Sequence, residues 1–110
     1  MEFIERITIQ KKVFEIVATI CGRSYDKLDE DKDLYRDLKI WGDAVDDLLL
    51  NFSKEFHFPI DKIDVSGCFP GEAHMFNPLP TLLFKPKRRI RIKHLVDAVL
   101  LKKWPDLEKI

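Results

Sequence analysis

An acidic stretch, WGDAVDD at residues 41–47, holds the side chains that most readily indicate a binding or chemical role. Asp43 is a favourable residue to cap a helix, and Asp46 and Asp47 fall in the first turn that would follow. Carboxylates at these positions accept hydrogen bonds from unpaired amides and are stabilised by the helix dipole. Because this physics alone accounts for Asp43 and Asp46, their presence does not by itself require a partner.

A basic stretch, KPKRRIRIK at residues 85–93, is the second concentration of charge. Its six cations are Lys85, Lys87, Arg88, Arg89, Arg91 and Lys93. Clustered lysine and arginine attract phosphate, which makes nucleic acid a candidate ligand. Aromatic residues do not alternate with these cations as they do in proteins that bind single strands. The segment could equally bind an acidic protein or dock against the acidic half of this chain.

The histidines and cysteines show no spacing typical of a metal or catalytic site. His57, His74, His94, Cys21 and Cys68 lack the short intervals that separate zinc ligand pairs. A cysteine or serine nucleophile would also need a histidine brought to it by the fold, and nothing else supports one. We therefore predict no metal, no cofactor and no enzymatic activity. Core or loop-anchoring roles are expected for four aromatic residues, which are Trp41, Phe69, Phe76 and Trp104.

The composition predicts one ordinary globular domain that spans residues 1–110. The chain is 45% hydrophobic and 35% charged, and its 19 acidic residues balance 19 basic ones. Twelve acidic and six basic residues lie within 26–64, whereas eight basic and one acidic residue lie within 85–103. This asymmetry indicates either a partner surface or an attraction between the two halves of the chain.

Compartment signals favour a reduced, cytoplasmic protein that does not enter a membrane. Two cysteines so far apart do not make a disulfide scaffold. Charged residues interrupt the N-terminal stretch where a signal peptide needs an unbroken apolar core. The longest apolar runs are also too short to span a bilayer.

Hydrophobic periodicity predicts three long helices. The first spans about residues 9–21, with an earlier start near Glu2 as an alternative, and stops at Gly22, since the residue after a last helical turn favours glycine. The second spans about residues 44–56, with Asp43 as its N-cap. The third spans about residues 92–103.

Two long loops are predicted between these helices. The first, residues 23–40, is acidic, and we expect its apolar residues to pin it to the core. Those residues are Leu28, Leu34, Tyr35, Leu38 and Ile40. The second is a Pro-rich insertion of about residues 66–86. Next to it we predict a short helix or turn within 60–69 and a small β-hairpin that pairs 81–84 with 88–92.

The order of these elements resembles that of acyl carrier proteins. The matching segments are, in chain order, Asp37-Leu38, Asp43-Ala44-Val45-Asp46, Glu55-Phe56 and IRIKHLVDAVL. They correspond to an Asp-Leu pair, to the Asp-Ser-Leu-Asp that opens the carrier's second helix, to the end of that helix and to the last helix. The resemblance covers about residues 9–64 and 90–104. Gly42-Asp43 is also similar to small bacterial acyl-carrier-like proteins of unknown function.

The resemblance implies an all-α, acyl-carrier-type four-helix bundle with the Pro-rich insertion before its last helix. It also implies that Ala44 occupies the position of the serine to which phosphopantetheine is attached. Alanine has no hydroxyl oxygen for the phosphodiester, so we expect no phosphopantetheine there. A true acyl carrier modified at another serine, Ser53 or Ser66, is an alternative.

Acidic residues along the second helix of acyl carrier proteins bind basic patches on partner enzymes, and the resemblance implies the same role here. The candidate partner-binding residues are Asp43, Val45, Asp46, Asp47 and Glu55. We therefore predict a non-enzymatic, carrier-like protein that acts by binding a protein partner whose identity the sequence does not give. The alternative is a small nucleic-acid-associated or regulatory protein that uses residues 85–93.

Overall fold

A computed structural model describes residues 2–70 and 85–110 of the protein. This part of the chain contains three α-helices, which are α1 (Glu2–Cys21), α2 (Asp43–Phe56) and α3 (Ile92–Leu101). It also contains two short 3-10 turns, at Tyr25–Lys27 and Ile60–Lys62. A small antiparallel sheet is formed by β1 (Arg88–Arg89) and β2 (Glu108–Lys109). The prediction of a mostly helical domain is confirmed at this level.

The end of α1 follows the prediction, and its beginning matches the earlier of the two predicted starts. The helix begins at Glu2 rather than near residue 9, which adds about two turns before the apolar stripe. It ends before Gly22, which lies in the left-handed region at φ 70° and donates its amide to the carbonyl of Ala18 at 2.9 Å. Glycine reaches this conformation at low cost because it has no Cβ.

The beginning of α2 corrects the prediction by one residue. Gly42 is the N-cap at φ 67°, and Asp43 is the first helical residue rather than the cap. The helix ends at His57, a left-handed residue at φ 53° whose amide donates to the carbonyl of Ser53. A glycine in the left-handed region therefore sets the direction from which the chain enters α2.

The core forms around α1, which packs against both α2 and α3. Each helix contributes one apolar face, as the spacing predicts. The buried apolar residues of the helices are Val13, Phe14 and Val17 of α1, Val45, Leu48 and Phe52 of α2, and Ile92, Leu95, Val96 and Ala98 of α3.

The acidic loop at 23–40 is held to this core as expected. Its predicted aliphatic anchors are all buried, and they are Leu28, Leu34, Leu38 and Ile40. The backbone amide of Leu34 donates to the carbonyl of Ile90 at 2.9 Å, and Asp33 forms an isolated β-bridge with Arg91. These bonds place the acidic loop directly beside the basic segment that precedes α3.

The four-helix bundle implied by the resemblance is not supported. Within 60–69 the chain forms only the 3-10 turn at Ile60–Lys62, and the described residues combine three α-helices with a two-stranded sheet. Helix α3 ends at Leu101 instead of Lys103, because Lys102 takes a left-handed conformation at φ 57°. After this turn the C-terminal residues Glu108–Lys109 return to pair with β1.

Only one of the two predicted hairpin strands lies within the described residues. Arg88–Arg89 does form a strand, and its partner is the C-terminal β2, with Arg88 opposite Lys109 and Arg89 opposite Glu108. The predicted partner at 81–84 and most of the insertion at 66–86 lie outside the described residues.

Among the helices that the structure describes, none combines the length and apolar character needed to cross a membrane.

Candidate functional site

Three predicted site residues form an exposed acidic patch at the start of α2. Asp43, Asp46 and Asp47 are all exposed, and none forms an ion pair within residues 5–70 and 85–110. Leu50 lies one turn further along and leaves 46% of its surface exposed. We call these four residues the acidic α2 surface. An apolar side chain beside uncompensated carboxylates is an arrangement that can bind a complementary protein surface.

Two other residues predicted for this surface lie elsewhere. Val45 is only 8% exposed and belongs to the core, because residue 45 falls on the same helical face as Leu48 and Phe52. Glu55 lies in the last turn of α2, where its carboxylate pairs with the Lys12 ammonium of α1 at 3.2 Å. Val45 is therefore not available to a partner, and Glu55 already has a counter-ion.

Some side chains of the basic segment are engaged in contacts within the protein. Arg91 makes the first set of these contacts. Its Nε donates to Oε2 of Glu108 at 2.8 Å, and its Nη1 donates to the carbonyl of Asp31 at 2.7 Å. The hydrogen bond from Arg91 lowers the pKa of Glu108 below its usual value. One guanidinium thus joins the acidic loop, the start of α3 and the C-terminal strand.

Arg88 makes the second set of internal contacts. Its Nε donates to the carbonyl of Ser66 at 2.8 Å, and its Nη2 lies 3.2 Å from Oδ1 of Asp64 and 3.1 Å from Oγ of Ser66. The pKa of Asp64 is lowered, first by hydrogen bonds from Ser66 and then by the charge of Arg88. An ion pair between the acidic and basic stretches is therefore formed at Arg88, whereas the acidic partner of Arg91, Glu108, lies outside residues 26–64.

The other four cations of the basic segment have no acidic partner in the described part of the chain, and they are Lys85, Lys87, Arg89 and Lys93. Lys85 and Lys87 are exposed, whereas Arg89 and Lys93 are half-buried. The six predicted residues thus divide into two arginines that form ion pairs within the protein and four cations that form none with the described residues.

His94 has a structural role that sequence reasoning missed. It is 4% exposed, and its Nδ1 accepts the backbone N–H of Arg91 at 2.8 Å. Because Arg91 is the N-cap of α3, this bond gives the capping residue's N–H a partner. Burial lowers the pKa of His94, which favours the neutral ring that this acceptor role requires. The available signal was its place three residues after a helix cap, where a glutamate or glutamine often accepts the same N–H.

A groove beside Trp41 is the second feature that sequence reasoning missed. Trp41 is 47% exposed, so it does not belong to the core, and its expected loop-anchoring role stays a prediction. It lines a cavity of about 330 Å³ together with Tyr35, Arg36, Lys39 and Pro86. The periodic pattern gives no sign of this site, because it joins a loop to a proline that lies 45 residues further along the chain than Trp41.

The remaining predicted aromatics behave differently from Trp41. Trp104 donates its indole N–H to the carbonyl of Asp64 at 2.8 Å, and Phe69 packs edge-on against Tyr35. Both act as anchors for loops, as expected. Phe76 lies outside the described residues.

The alternative serines and the cysteines show no arrangement for group transfer. Ser53 donates its hydroxyl to the carbonyl of Phe58 at 2.6 Å, and the hydroxyl of Ser66 contacts Arg88. Cys68 is 1% exposed, and burial raises its pKa to about 11, so its thiol stays protonated near neutral pH. In residues 5–70 and 85–110, no three histidine, cysteine or acidic side chains are grouped to hold a metal ion, and His74 lies outside these ranges.

Comparison with known families corrects the predicted relationship. A family model described as "Protein of unknown function (DUF1493)" matches residues 6–105, which is most of the chain. This is not an acyl carrier protein family, so the relationship inferred from the Asp-Ala-Val-Asp segment is wrong. That segment is explained by the physics of starting a helix, which many unrelated proteins share. No curated protein and no solved structure matches the chain.

Proposed function

We propose a binding function for this chain, which belongs to the DUF1493 family of proteins of unknown function. In this proposal the domain is not an enzyme, and it presents the acidic α2 surface to a basic surface on a protein partner. The observation that carries the proposal is the set of three exposed aspartates, Asp43, Asp46 and Asp47, without a counter-ion among the described residues.

The support of α2 by the core strengthens this proposal. Leu48 and Phe52 are 0% and 1% exposed, so the opposite face of the helix is fixed against the rest of the domain. A rigid helix loses little conformational entropy when a partner binds. Opposite charges across an interface mainly speed association and select the partner, while Leu50 supplies apolar area at the centre of the contact.

A triple variant tests the acidic α2 surface directly. We expect Asp43→Asn with Asp46→Asn and Asp47→Asn to abolish capture of the partner by the tagged protein, because the complementary charge is removed. Capture by the unaltered protein should weaken as salt concentration rises, since exposed charges are screened. A photo-crosslinking residue in place of Leu50 should form a covalent adduct with the same partner.

The matched control removes the same amount of charge from other places. Asp26, Asp61 and Asp106 are exposed and have no ion pair within the described residues. Their triple replacement by asparagine should leave capture unchanged. Equal losses in both triple variants would show that net charge alone matters, and capture by the α2 variant at the level of the unaltered protein would refute the proposed surface.

Nucleic-acid binding by residues 85–93 is the second candidate function. It is supported by the four cations of this segment that have no acidic partner in the described chain. It is placed second because Arg88 and Arg91 are engaged with Asp64, Ser66 and Glu108. Salt-sensitive binding of an oligonucleotide that depends on Lys85 and Lys87 would favour it over the first candidate.

A further inference from the structure

Most of the described residues that line the groove beside Trp41 belong to one loop. Tyr35, Arg36, Lys39 and Trp41 lie on the loop before α2, and Pro86 of the basic segment faces them. The cavity of about 330 Å³ lies near the lower end of the volumes in which proteins hold small ligands, roughly 300–1,000 Å³. It can therefore accommodate one compact ligand.

Hydrogen bonds hold this loop in one shape. The Asp33 carboxylate accepts the amides of Tyr35 and Arg36, both at 2.9 Å. The Ile40 amide donates to the carbonyl of Leu34 at 2.9 Å, which closes the loop. Lys39 lies in the left-handed region at φ 59°, a conformation that is uncommon for a lysine and that recurs at binding sites. The groove is thus organised before any ligand arrives.

The charged residues among the described lining of the groove are both cations. Arg36 and Lys39 are exposed and have no acidic partner within the described residues. Asp37, which lies between them in the sequence, is exposed but is not among the lining residues, and its Oδ2 accepts the amide of Asp33 at 2.8 Å. Lys85 and Lys87, which are exposed, flank Pro86 in the sequence. An anionic group is therefore the ligand part that these cations fit.

We propose that this groove binds a nucleoside phosphate, with its base stacked on Trp41 and its phosphate held by Arg36 and Lys39. A half-exposed indole offers a flat apolar face on which any base can stack. Neighbouring arginine and lysine side chains supply charge-assisted hydrogen bonds to phosphate oxygens. An acidic peptide would satisfy the cations and leave the indole exposed, so the pairing of ring and cations favours a nucleotide.

The nucleotide could be free in solution or one unit of a single strand, since both present the same base and phosphate. The inference does not rest on the acidic α2 surface, because its residues differ from Asp43, Asp46, Asp47 and Leu50. It is also distinct from strand binding along residues 85–93, because most of the lining residues lie on the loop before α2. Variants of the loop and variants of Lys85 and Lys87 therefore separate these possibilities.

Tryptophan fluorescence gives a direct measurement. The chain has two tryptophans, so Trp104→Phe leaves Trp41 as the only indole reporter. Titration with adenosine monophosphate should quench its emission to saturation. Adenosine and inorganic phosphate should each bind at least about ten-fold more weakly, because each offers only one of the two contacts. A short oligodeoxyadenylate and a polyglutamate peptide complete the set of ligands.

Variants of the groove test the assignment by calorimetry on the otherwise unaltered protein. Trp41→Ala, and Arg36→Gln with Lys39→Gln, should each weaken nucleotide binding by about ten-fold or more. The replaced side chains are exposed, so we expect melting temperatures close to that of the unaltered protein. Lys27→Gln with Lys62→Gln removes the same charge from two exposed 3-10 turns and should leave affinity unchanged.

Each outcome supports or overturns the inference. Saturable binding of the mononucleotide that requires both Trp41 and the two loop cations supports a free nucleotide. Binding of the oligonucleotide alone, with the same requirements, supports a unit within a strand. Absence of binding by both, tighter binding of polyglutamate, or nucleotide affinity unaffected by the groove variants overturns it. Dependence on Lys85 and Lys87 without Trp41 would assign nucleic-acid binding to the basic segment instead.

Discussion

The basic segment before α3 and the acidic start of α2 carry similar densities of charge, but they differ in the ion pairs that they form within the protein. In the basic segment, Arg91 and Arg88 reach across to Glu108 and Asp64 and bind them. In the acidic α2 surface, Asp46 and its two neighbouring aspartates meet no cation within the described residues. Two arginines of the basic segment are therefore part of the internal structure, whereas all three aspartates of the acidic α2 surface remain available to a partner.

The difference follows from what lies opposite each segment in space. The loop at 23–40 and the C-terminal strand β2 both lie against the residues around Arg91. Arg91 pairs there with Glu108 of β2, while Arg88 pairs with Asp64, which follows α2. The first turn of α2 follows an exposed glycine and has no strand or loop paired to it in the described structure. A run of charged residues in the sequence therefore indicates a partner surface only when its neighbours in space are known.

Among the variants that test this contrast, we expect the largest loss of stability from replacement of Arg91. Arg91→Met removes the hydrogen bonds to Glu108 and to the Asp31 carbonyl while keeping much of the apolar stem. We expect the free energy of unfolding to fall by about 2 kcal/mol, the usual range for hydrogen bonds that involve a charged group. Urea denaturation followed by circular dichroism measures this change.

Matched variants show whether the loss is specific to the internal contacts. Lys93→Met removes a neighbouring cation without an acidic partner, and Asp46→Asn removes a charge from the acidic α2 surface. Each should change the free energy of unfolding by no more than about 0.5 kcal/mol. If Lys93→Met destabilises the protein as much as Arg91→Met does, the division of the basic segment into internal and available cations is wrong.

His94 gives the next largest effect, and its sign follows from burial. Burial lowers the pKa of His94 in the folded state, while Glu108, Lys93, Asp97 and Arg91 exert smaller effects of both signs. The unfolded chain takes up the proton near pH 6.5 and the folded chain resists it. The contribution of His94 to stability is therefore fully present above this pH and is lost as the pH falls below it.

Two replacements of His94 separate its charge from its capping bond. In His94→Gln the amide oxygen can still accept the Arg91 N–H, so stability should no longer fall as the pH decreases from 7 to 5. In His94→Leu the bond is lost, and we expect a cost of about 1 kcal/mol at neutral pH. His57→Asn, a change at an exposed left-handed position that asparagine tolerates, should leave the pH dependence as it is.

Sequence reasoning succeeded where one local pattern decides the structure. The apolar face of α2 and the anchors of the acidic loop were predictable, because burial of Leu48 or Leu34 follows from spacing and hydrophobicity alone. The stop at Gly22 was predictable for the same reason. The family was not, because Asp-Ala-Val-Asp is a helix-start pattern that carries little information about ancestry.

Features that join distant parts of the chain were not predictable. The pairing of Arg88–Arg89 with Glu108–Lys109 spans about 20 residues of sequence and depends on the left-handed turn at Lys102. The groove beside Trp41 likewise needs Pro86 on its far side. Asp43, Asp46 and Asp47 are exposed on α2, and their binding role stays a prediction. Val45 was assigned to the same surface although its spacing places it on the apolar face with Leu48 and Phe52.

The smallest effect is expected from the pair of Arg88 and Asp64, which sharpens the contrast within the basic segment. Asp64 is largely exposed, at 61% of its side chain, so solvent screens its attraction to Arg88. A double-mutant cycle with Arg88→Gln and Asp64→Asn should give a coupling free energy below about 1 kcal/mol that decreases as salt is added. Arg88→Gln alone should cost more than this coupling, because the guanidinium also binds the Ser66 carbonyl, whose bond does not depend on Asp64. A coupling as large as the whole effect of Arg88→Gln would show that the ion pair, rather than the bond to the loop backbone, is what attaches β1 to residues 64–66.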